Sequence, residues 1–340
     1  MLKKKDRYNV AIVGATGAVG VEFLQVLAKR NFPIAELTLL ASKNSVGKKM
    51  HFAGKDWPVQ ELTKDSFKGV DIALFSAGGS RSKEFAKIAV AAGAIVIDNS
   101  SAFRMDPNVP LVVPEINPEA ALQHKGIIAN PNCTTIIMGV AIYPIHKINP
   151  IKRIVVASYQ AVSGAGAKAL EELKEQQKAV VEGNTPVANI LPHVIADNVF
   201  SHNSPVLENG YNEEEMKMVK ETQKIFGSTD IQISPTCVRV PIARAHSEAI
   251  HLELSHAADS NKIREALQNA PGIHIVDDPK RNLFPMPLDV SGQDAVFVGR
   301  IRKDPFLANG INLFVCGDQL LKGAALNAVQ IAELLIRNTL

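Results

Sequence analysis

The sequence predicts a two-domain α/β protein, in which a doubly wound parallel sheet is followed by an α+β domain with a mostly antiparallel sheet. Three observations lead to this fold class. The chain has 340 residues, which is the length of two average domains. Strand and helix patterns alternate through its first third. Strand patterns cluster in its second half, where helices only occasionally interrupt them.

The first domain is predicted over residues 1–132 from its alternating elements. Apolar runs at 8–13, 36–40, 71–75 and 94–97 predict strands, and the runs at 111–113 and 127–129 are candidates for two more. Helical periodicity appears at 21–29 and 82–92. Strands that are joined through helices require right-handed crossovers, which produce a parallel sheet.

The second domain is predicted over residues 133–318 from more closely spaced strands. Strand patterns occur at 153–159, 231–240, 247–254, 273–276, 296–301 and 311–316. Helical patterns occur at 167–181, 212–225 and 261–269. Strands that cluster with helices on one side predict an α+β domain. A long apolar helix within 319–340 is expected to pack back on the first domain.

Composition and charge exclude several classes of protein. The formal net charge is +3 and 46% of the residues are hydrophobic, so we expect packed cores and no nucleic-acid partner. We find no secretory segment and no apolar run near the roughly 18 residues that would cross a membrane. Cys133, Cys237 and Cys316 are far apart and odd in number, which predicts neither a disulfide framework nor a metal site. A cytoplasmic protein without a bound metal is therefore expected.

A glycine-rich turn lies between the first predicted strand and the first predicted helix. Gly14, Gly17 and Gly20 have the spacing G-x-x-G-x-x-G. Such glycines permit a tight turn, a close approach of the backbone to a pyrophosphate, and close packing of helix on strand. The pattern predicts a Rossmann-type dinucleotide site, with a turn that binds no ligand as the alternative. Ser76 follows the third strand at the same edge of the sheet and could line the cleft.

The end of the second predicted strand bears on the choice between NAD and NADP. NAD sites usually carry a carboxylate about 20 residues after the glycines. Here the strand is followed by Ser42, Lys43, Asn44 and Ser45, none of which is acidic. Hydroxyl, amide and ammonium groups suit a 2′-phosphate, so NADP is predicted. The alternative is that Lys43 and Lys48 are solvated loop charges.

Cys133 is the strongest candidate for a nucleophile. It lies between a predicted strand and an apolar helical run at 136–145. At a helix N-terminus, free backbone N–H groups and the macrodipole favour a thiolate. A buried apolar cysteine is the alternative. His246, at the start of a predicted strand, is a natural general acid/base if it faces the thiol, although a lone histidine is more often structural.

Two further charged segments cannot be assigned a function from the residues alone. Arg104 follows the fourth predicted strand beside hydroxyl groups, where it suits an oxyanion such as phosphate. A structural salt bridge is the competing interpretation for Arg104. Residues 214–217, in the charged helix, indicate by themselves only a solvated face.

Together these segments resemble the aspartate-semialdehyde dehydrogenase family over nearly the whole chain. The resemblance rests on the order and separation of residues 14–20, 99–104, 131–135, 160, 163–166, 214–217 and 239–246. It implies that Cys133 is the nucleophile and that His246 is the acid/base catalyst. It also implies NADP as cofactor, a small-molecule substrate, inorganic phosphate as a reactant, and a homo-oligomer that is a dimer or a tetramer.

The remaining candidate site residues form three groups; all are implied by the resemblance except Gly14, Ser42 and Ser76, which follow from the glycine turn and the strand ends described above. The substrate-binding residues are Gln160, Arg239 and Glu214, which would respectively orient the substrate, bind its carboxylate and help to hold its amino group. The phosphate-binding residues are Arg104, Lys217 and Asn132. The candidate cofactor-binding residues are Gly14, Thr16, Gly17, Ala18, Val19, Ser42, Asn44, Ser45, Ser76, Ser163, Gly164 and Gln319. The chain departs from many members at Asn44, where they carry an arginine beside the adenosine 2′-phosphate; Ser42, Lys43 and Ser45 could compensate.

The implied reaction is the reductive dephosphorylation of L-4-aspartyl phosphate to L-aspartate 4-semialdehyde through a thioester on Cys133. This step belongs to the biosynthesis of lysine, diaminopimelate, threonine, methionine and isoleucine. Another phosphorylating aldehyde dehydrogenase, such as N-acetyl-glutamyl-phosphate reductase or glyceraldehyde-3-phosphate dehydrogenase, is the nearest alternative. A non-catalytic NADP-binding paralogue is an alternative from a different class.

Overall fold

The computed structural model describes residues 2–339, which divide into two compact units. The first unit runs up to Asn132 and includes the residues from Ala324 onwards, and the second runs from Cys133 to Gly323. Met1, the first residue of the predicted first domain, and Leu340, the last residue of the predicted C-terminal segment 319–340, lie outside the described residues.

The first unit is built on a seven-stranded sheet. Its strands are β1 (Tyr8–Val13), β2 (Ile34–Ala41), β3 (Lys49–Phe52), β4 (Lys55–Glu61), β5 (Ile72–Phe75), β6 (Ile95–Asp98) and β7 (Ile127–Ala129). They lie in the order β3-β4-β2-β1-β5-β6-β7, and every pairing is parallel except that of β3 with β4. Helices α1 (Ala18–Lys29) and α2 (Gly79–Ala91) are crossover connections, as a doubly wound sheet requires. The predicted Rossmann-type sheet is confirmed.

Two local predictions in this unit need correction. The candidate strand at 111–113 is wrong, because only Leu111 forms an isolated bridge, with Ala129. Proline at 110 and at 114 brackets this run, and proline cannot donate to a sheet ladder. The hairpin of β3 and β4 was not predicted. Its two-residue turn has positive φ at Ala53 (50°) and Gly54 (78°), which is typical of a type I′ hairpin.

The second unit begins with helix α3 (Cys133–Ile148) and contains the other seven-stranded sheet. Its strands are β8 (Ile151–Gln160), β9 (Phe200–Ser201), β10 (Gln232–Arg239), β11 (His246–Leu254), β12 (Ile273–Ile275), β13 (Val296–Lys303) and β14 (Gly310–Gly317). The helices between them are α4 (Ala167–Val181), α5 (Glu213–Phe226), α6 (Ser260–Gln268) and the short α7 (Pro287–Val290). The strand order is β12-β13-β14-β11-β8-β10-β9. Only the β8–β10 and β12–β13 pairings in this part of the described chain are parallel, so the sheet is mostly antiparallel, as predicted.

Strand register brings three predicted site residues together at the ends of neighbouring strands of this sheet. β8 and β10 are parallel neighbours and end together, with Arg239 opposite Gln160. β11 runs antiparallel to β8, so its first residue, His246, enters beside the last residues of β8. Helix α3 packs on the same sheet, and its Ile137 lies so close to Gly317 that a Cβ at this glycine would be 2.8 Å from Ile137 Cγ1. This close approach places the start of α3 beside the same strand ends.

The C-terminal helix begins later than predicted. The Asp318 carboxylate accepts hydrogen bonds from the backbone N–H groups of Leu320 and Leu321, as an N-cap does. The N–H of Gly323 then bonds to the carbonyl oxygen of Asp318, five residues earlier, so the first turn is not α-helical. A π-helical turn (Leu321–Ala325) follows, and the regular helix α8 (Leu326–Arg337) packs against α1 and β6 within the first unit. Arg30 Nε and Nη2 donate to the Glu333 carboxylate at 2.6 and 2.7 Å and so tie α1 to α8. None of the helices in residues 2–339 is both long and apolar enough to cross a membrane.

Candidate active site

Cys133 is the first residue of α3 and is half-buried. Its Sγ lies 3.5 Å from Nε2 of His246 and 3.9 Å from Oγ1 of Thr134. Gly323 faces it closely, since a Cβ at this glycine would be 2.8 Å from Cys133 Cβ. The thiol therefore lies at a helix N-terminus with an imidazole in contact, which is the arrangement of an activated nucleophile.

His246 is fully buried at the start of β11. The backbone N–H of Ala161 donates a 3.0 Å hydrogen bond to its Nδ1, so Nδ1 is an acceptor and the proton of the neutral ring is on Nε2, facing the sulfur. Burial, reinforced by the Arg239 charge, lowers the pKa of His246 to about 3. At neutral pH the ring is therefore an uncharged hydrogen-bond donor to Cys133.

A chain of polar contacts supports the histidine from its N-terminal side. Ala245 adopts φ 71°, a left-handed conformation that is strained for alanine, and its N–H donates to Gln319 Oε1 at 2.8 Å. Gln319 Nε2 in turn donates to Ser163 Oγ at 2.6 Å. The structure thus brings the predicted cofactor residues Ser163 and Gln319 together beside His246.

Gln160 connects the thiol end of α3 with helix α5. Its Nε2 lies 2.9 Å from Thr134 Oγ1 and 3.5 Å from Glu214 Oε1. Glu214 forms an ion pair with Lys217 at 3.1 Å, and Glu214 is buried whereas Lys217 is partly exposed. The interpretation of this segment as a solvated face is therefore wrong for Glu214. The N-terminus of α5 is held in place by a capping box between Asn212 and Glu215.

Arg239 is almost fully buried at the end of β10. Its Nη1 donates to the carbonyl oxygen of Ala161 at 2.7 Å, so the backbone of this one residue contacts both His246 and Arg239. Its Nη2 lies 2.9 Å from His202 Nε2 and 2.8 Å from Asn203 Oδ1. Sequence reasoning missed His202 and Asn203, because their polar loop has no periodicity that would place it against a strand end.

The first unit has a cleft of 420 Å³ at the glycine-rich turn. Its lining includes the predicted residues Gly14, Thr16, Gly17, Ser42, Asn44 and Ser76, and also Lys43, Glu61 and Arg81. Ser45 contacts Thr16 through their hydroxyl groups at 3.4 Å, and Ala18 and Val19 begin α1. Glu61 enters the cleft because β4 pairs with the end of β2, a pairing that the sequence did not predict.

The glycine turn fits a dinucleotide. A Cβ at Gly14 would lie 2.3 Å from the carbonyl oxygen of Ser76, and its φ is 87°. A Cβ at Gly20 would lie 2.3 Å from the carbonyl oxygen of Gly14. The N-terminus of α1 has no side-chain cap at Gly17, which leaves its backbone N–H groups facing the cleft for an anion.

Comparisons with known proteins agree with this geometry. Residues 142–322 match the family "Semialdehyde dehydrogenase, dimerisation domain", and residues 9–124 match "Semialdehyde dehydrogenase, NAD binding domain". The chain is 61% identical to the aspartate-semialdehyde dehydrogenase of Synechocystis sp. over 96% of its length and 97% of the relative. The chain belongs to the aspartate-semialdehyde dehydrogenase family.

Two solved aspartate-semialdehyde dehydrogenases extend the comparison to ligands. The Vibrio cholerae enzyme II, solved in complex with ASA, has a TM-score of 0.96 at 47% identity, covering 99% of this chain and 100% of that one. The Candida albicans enzyme, solved with NADP, has a TM-score of 0.73 at 25% identity and covers 97% and 98% of the two chains. The resemblance inferred from the sequence motifs is thereby confirmed at the level of the family.

Arg104 and Asn132, to which the resemblance to aspartate-semialdehyde dehydrogenases assigns phosphate binding, are both buried in the first unit. Arg104 Nε donates to the carbonyl oxygen of Asn130 at 3.0 Å, and its Nη2 donates to that of Asn99 at 2.7 Å. These bonds hold together the backbone after β6 and the backbone after β7. The phosphate-binding role of both residues stays a prediction.

Gly164 gives a direct test of this dehydrogenase site. A Cβ at this position would lie 3.1 Å from Cε1 and 3.3 Å from Nε2 of His246. We expect Gly164→Ala to shift the imidazole by a few tenths of an ångström and to lower kcat by at least about tenfold, because catalytic geometry tolerates little displacement. Steady-state kinetics with a thermal melt would measure both effects. Gly183→Ala is the control for lost stability, because a Cβ there meets open space but its φ of 75° strains an alanine; it should lower the melting temperature without lowering kcat. Wild-type kcat in Gly164→Ala would contradict the assigned geometry.

Proposed function

We propose that this chain reduces L-4-aspartyl phosphate to L-aspartate 4-semialdehyde with NADPH and releases inorganic phosphate. The observation that carries the proposal is the 3.5 Å contact between Cys133 Sγ and the Nε2–H of His246, beside the buried Gln160, Glu214 and Arg239. Membership of the aspartate-semialdehyde dehydrogenase family supports the same reaction. The product would supply the biosynthesis of lysine, diaminopimelate, threonine, methionine and isoleucine.

The proposed chemistry uses Cys133 and His246 in two steps. The thiolate forms a C–S bond with the acyl carbon, the C–O bond to phosphate breaks, and the departing phosphate takes up a proton from the solvent. NADPH supplies the hydride that reduces the thioester carbon. The C–S bond then breaks, which releases the aldehyde and restores the thiolate. In both steps negative charge develops on the carbonyl oxygen, and the Nε2–H of His246 is the donor that stabilises it.

The hydrogen bonds of His246 favour a role as hydrogen-bond donor over the acid/base role that the resemblance implies. To accept the thiol proton at Nε2, the neutral ring would have to carry its proton on Nδ1, where the N–H of Ala161 already points. We therefore propose that hydrogen-bond donation is its main role in the resting enzyme. The buried charge of Arg239 favours the thiolate of Cys133 over the thiol.

The substrate groups have complementary partners in the second unit. We propose that Arg239 binds the carboxylate, that Glu214 holds the amino group, and that Gln160 orients the chain between them. Lys217 of the same unit is proposed to bind the phosphate, and the same role is proposed for Arg104 and Asn132 of the first unit. Buried charged side chains of both signs match a zwitterionic amino acid with an added phosphate.

We propose NADP as the cofactor. Lys43 and Arg81 line the first-unit cleft together with the hydroxyl of Ser42 and the amide of Asn44. These are the groups that suit a 2′-phosphate, and the Candida albicans relative was solved with NADP. Glu61 in the same cleft is a carboxylate of the kind that NAD sites use. We therefore expect NAD to bind as a weaker second cofactor.

A homodimer in the cytoplasm is the proposed state of the protein. The match of residues 142–322 to a dimerisation domain supports the dimer, for which β8 offers the partly exposed side chains of Val155 and Tyr159. Three free cysteines support a reducing compartment. Sedimentation equilibrium would distinguish the dimer from a monomer or a tetramer.

A phosphate-dependent assay tests the function directly. The protein is mixed with L-aspartate semialdehyde and NADP⁺, with and without inorganic phosphate, and NADPH absorbance is followed. NADPH is expected to form only when phosphate is present. Turnover of N-acetylglutamate semialdehyde or glyceraldehyde 3-phosphate, with none of aspartate semialdehyde, would reject the proposed substrate. Turnover with NAD⁺ alone would reject only the cofactor.

A further inference from the structure

The guanidinium of Arg239 is fixed at its Nη2 group by hydrogen bonds to other residues of the second unit. Its Nη2 carries two hydrogens, and two acceptors are within bonding distance: His202 Nε2 at 2.9 Å and Asn203 Oδ1 at 2.8 Å. One Nη1 hydrogen is used by the carbonyl oxygen of Ala161 at 2.7 Å. The second Nη1 hydrogen and the buried Nε–H, which has no partner among the described residues, remain for a ligand.

The remaining Nη1 hydrogen is near the catalytic pair. A Cβ at Gly164 would lie 3.6 Å from Arg239 Nη1 and 3.1 Å from His246 Cε1, so Nη1 and the imidazole border the same small space. A carboxylate bound by Nη1 would therefore hold the substrate close to His246 and Cys133. The opposite edge, at Nη2, is closed by His202 and Asn203.

The tautomer of His202 follows from this contact. Arginine has no acceptor, so His202 Nε2 must accept from Nη2, and the neutral ring carries its proton on Nδ1. Nδ1–H then donates to Ser204 Oγ at 3.1 Å. The backbone N–H of Ser204 is also directed at Nδ1, at 3.2 Å, and a protonated Nδ1 cannot accept it. The tautomer is assigned from the Arg239 contact, because the guanidinium is a permanent cation with no acceptor and lies closer to the ring, at 2.9 Å.

The same hydrogen-bond chain reaches helix α5. Ser204 Oγ accepts from the backbone N–H of Glu214 at 3.2 Å, next to the side chain proposed to hold the substrate amino group. The chain from Arg239 through His202 and Ser204 to Glu214 thus connects two proposed substrate contacts. A change at His202 would loosen the guanidinium without touching the thiol.

We propose that His202 is a positioning residue for substrate recognition, which holds the Nη2 edge of Arg239 so that Nη1 is presented to the substrate carboxylate. This inference rests on the proposed role of Arg239. His202 can act in this way because it is uncharged: burial, opposed by Glu214 and reinforced by Arg239 and Lys217, lowers the pKa of His202 to about 4. A protonated ring would repel the guanidinium instead of accepting its hydrogen bond.

The test compares two aldehydes in the phosphate-dependent oxidation with NADP⁺. L-aspartate semialdehyde carries the carboxylate, whereas 3-aminopropanal is the same molecule without it. In His202→Ala we expect kcat/KM for aspartate semialdehyde to fall about tenfold, mainly through KM, because a hydrogen bond to a charged group is lost. Its kcat should stay within about twofold, and kcat/KM for 3-aminopropanal should not change.

Three further single variants and one double variant complete the experiment. His202→Gln, whose amide oxygen can accept from Nη2, is expected to restore most of the KM. His256→Ala is the matched control, because His256 is an exposed histidine of the same unit and is remote from these contacts. Arg239→Ala should remove most of the preference for the carboxylated aldehyde, and adding His202→Ala to it should have no further effect on that preference.

The outcomes separate the two proposals. If Arg239→Ala keeps the wild-type preference, the proposed role of Arg239 is wrong. If Arg239→Ala loses the preference but His202→Ala keeps the wild-type KM, the inference about His202 is overturned. Equal losses on both aldehydes in His202→Ala, or a loss in kcat alone, would also overturn it, because they indicate a general structural effect.

Discussion

Cys133→Ala is expected to abolish phosphate-dependent turnover, with kcat falling by about 10⁴-fold or more, because no other group can form the thioester. The affinity for NADPH should stay within about twofold of wild type, since the glycine turn and its cleft belong to the first unit. Turnover by absorbance and NADPH binding by fluorescence titration measure the two effects separately.

Cys316→Ala is the matched control for this loss. Cys316 lies on β14 in a small apolar cluster with Ala245 and Val290, and burial raises its pKa to about 12, so its thiol is not a nucleophile at neutral pH. We expect this variant to turn over substrate at close to the wild-type rate with some loss of stability. Residual activity of Cys133→Ala near that of Cys316→Ala would reject Cys133 as the nucleophile.

His246→Ala is expected to lower kcat by about 10²- to 10³-fold, which is the usual effect of removing one donor to a developing oxyanion. His246→Gln should recover a measurable part of this loss, because its amide N–H can approach the position of Nε2–H while the amide can neither accept nor release a proton at neutral pH. Single-turnover measurements with L-4-aspartyl phosphate would follow thioester formation directly in each variant.

The pH profile gives a second measurement on the same histidine. Because burial lowers the pKa of His246 to about 3, the ring is neutral throughout the range of the assay, and its protonation begins only in strong acid. The wild-type kcat should therefore show no imidazole step between about pH 5.5 and 7.5, where an unperturbed histidine titrates. A step that disappears in His246→Gln, together with equal activity of His246→Gln and His246→Ala, would establish proton transfer in place of hydrogen-bond donation.

The sequence pattern was sufficient to predict those features of the site that depend only on residues adjacent in the chain. The glycines at 14, 17 and 20 predict a dinucleotide turn, and at Gly14 and Gly20 a Cβ would lie 2.3 Å from a backbone carbonyl oxygen, so only glycine fits there. Cys133 could be placed at a helix N-terminus because a strand precedes it and an apolar helical run follows. Both inferences use neighbours in sequence, and the structure confirms the elements on which they depend.

Contacts between segments that are distant in sequence could not be predicted from these local patterns. Glu61 reaches the cofactor cleft only because β4 pairs with β2, and its short exposed strand has little periodicity. His202 and Asn203 meet Arg239 from a polar loop whose residues have no regular pattern. Glu214, in a run of charges that indicates a solvated face, is buried because α5 packs on β10.

The two-domain α/β class and the family follow from the residues alone, since they depend on local periodicity and on the order of motifs along the chain. The same patterns predict the dinucleotide turn, and the family resemblance predicts Cys133 as the nucleophile. The contacts between the polar groups of the site are visible only in the folded structure. The tautomer of His246 depends on the N–H of Ala161, and the hold on Arg239 depends on His202, and both contacts join strand ends or loops that are remote in sequence. Hydrogen-bond partners are set by strand register and packing, which the residues alone do not specify.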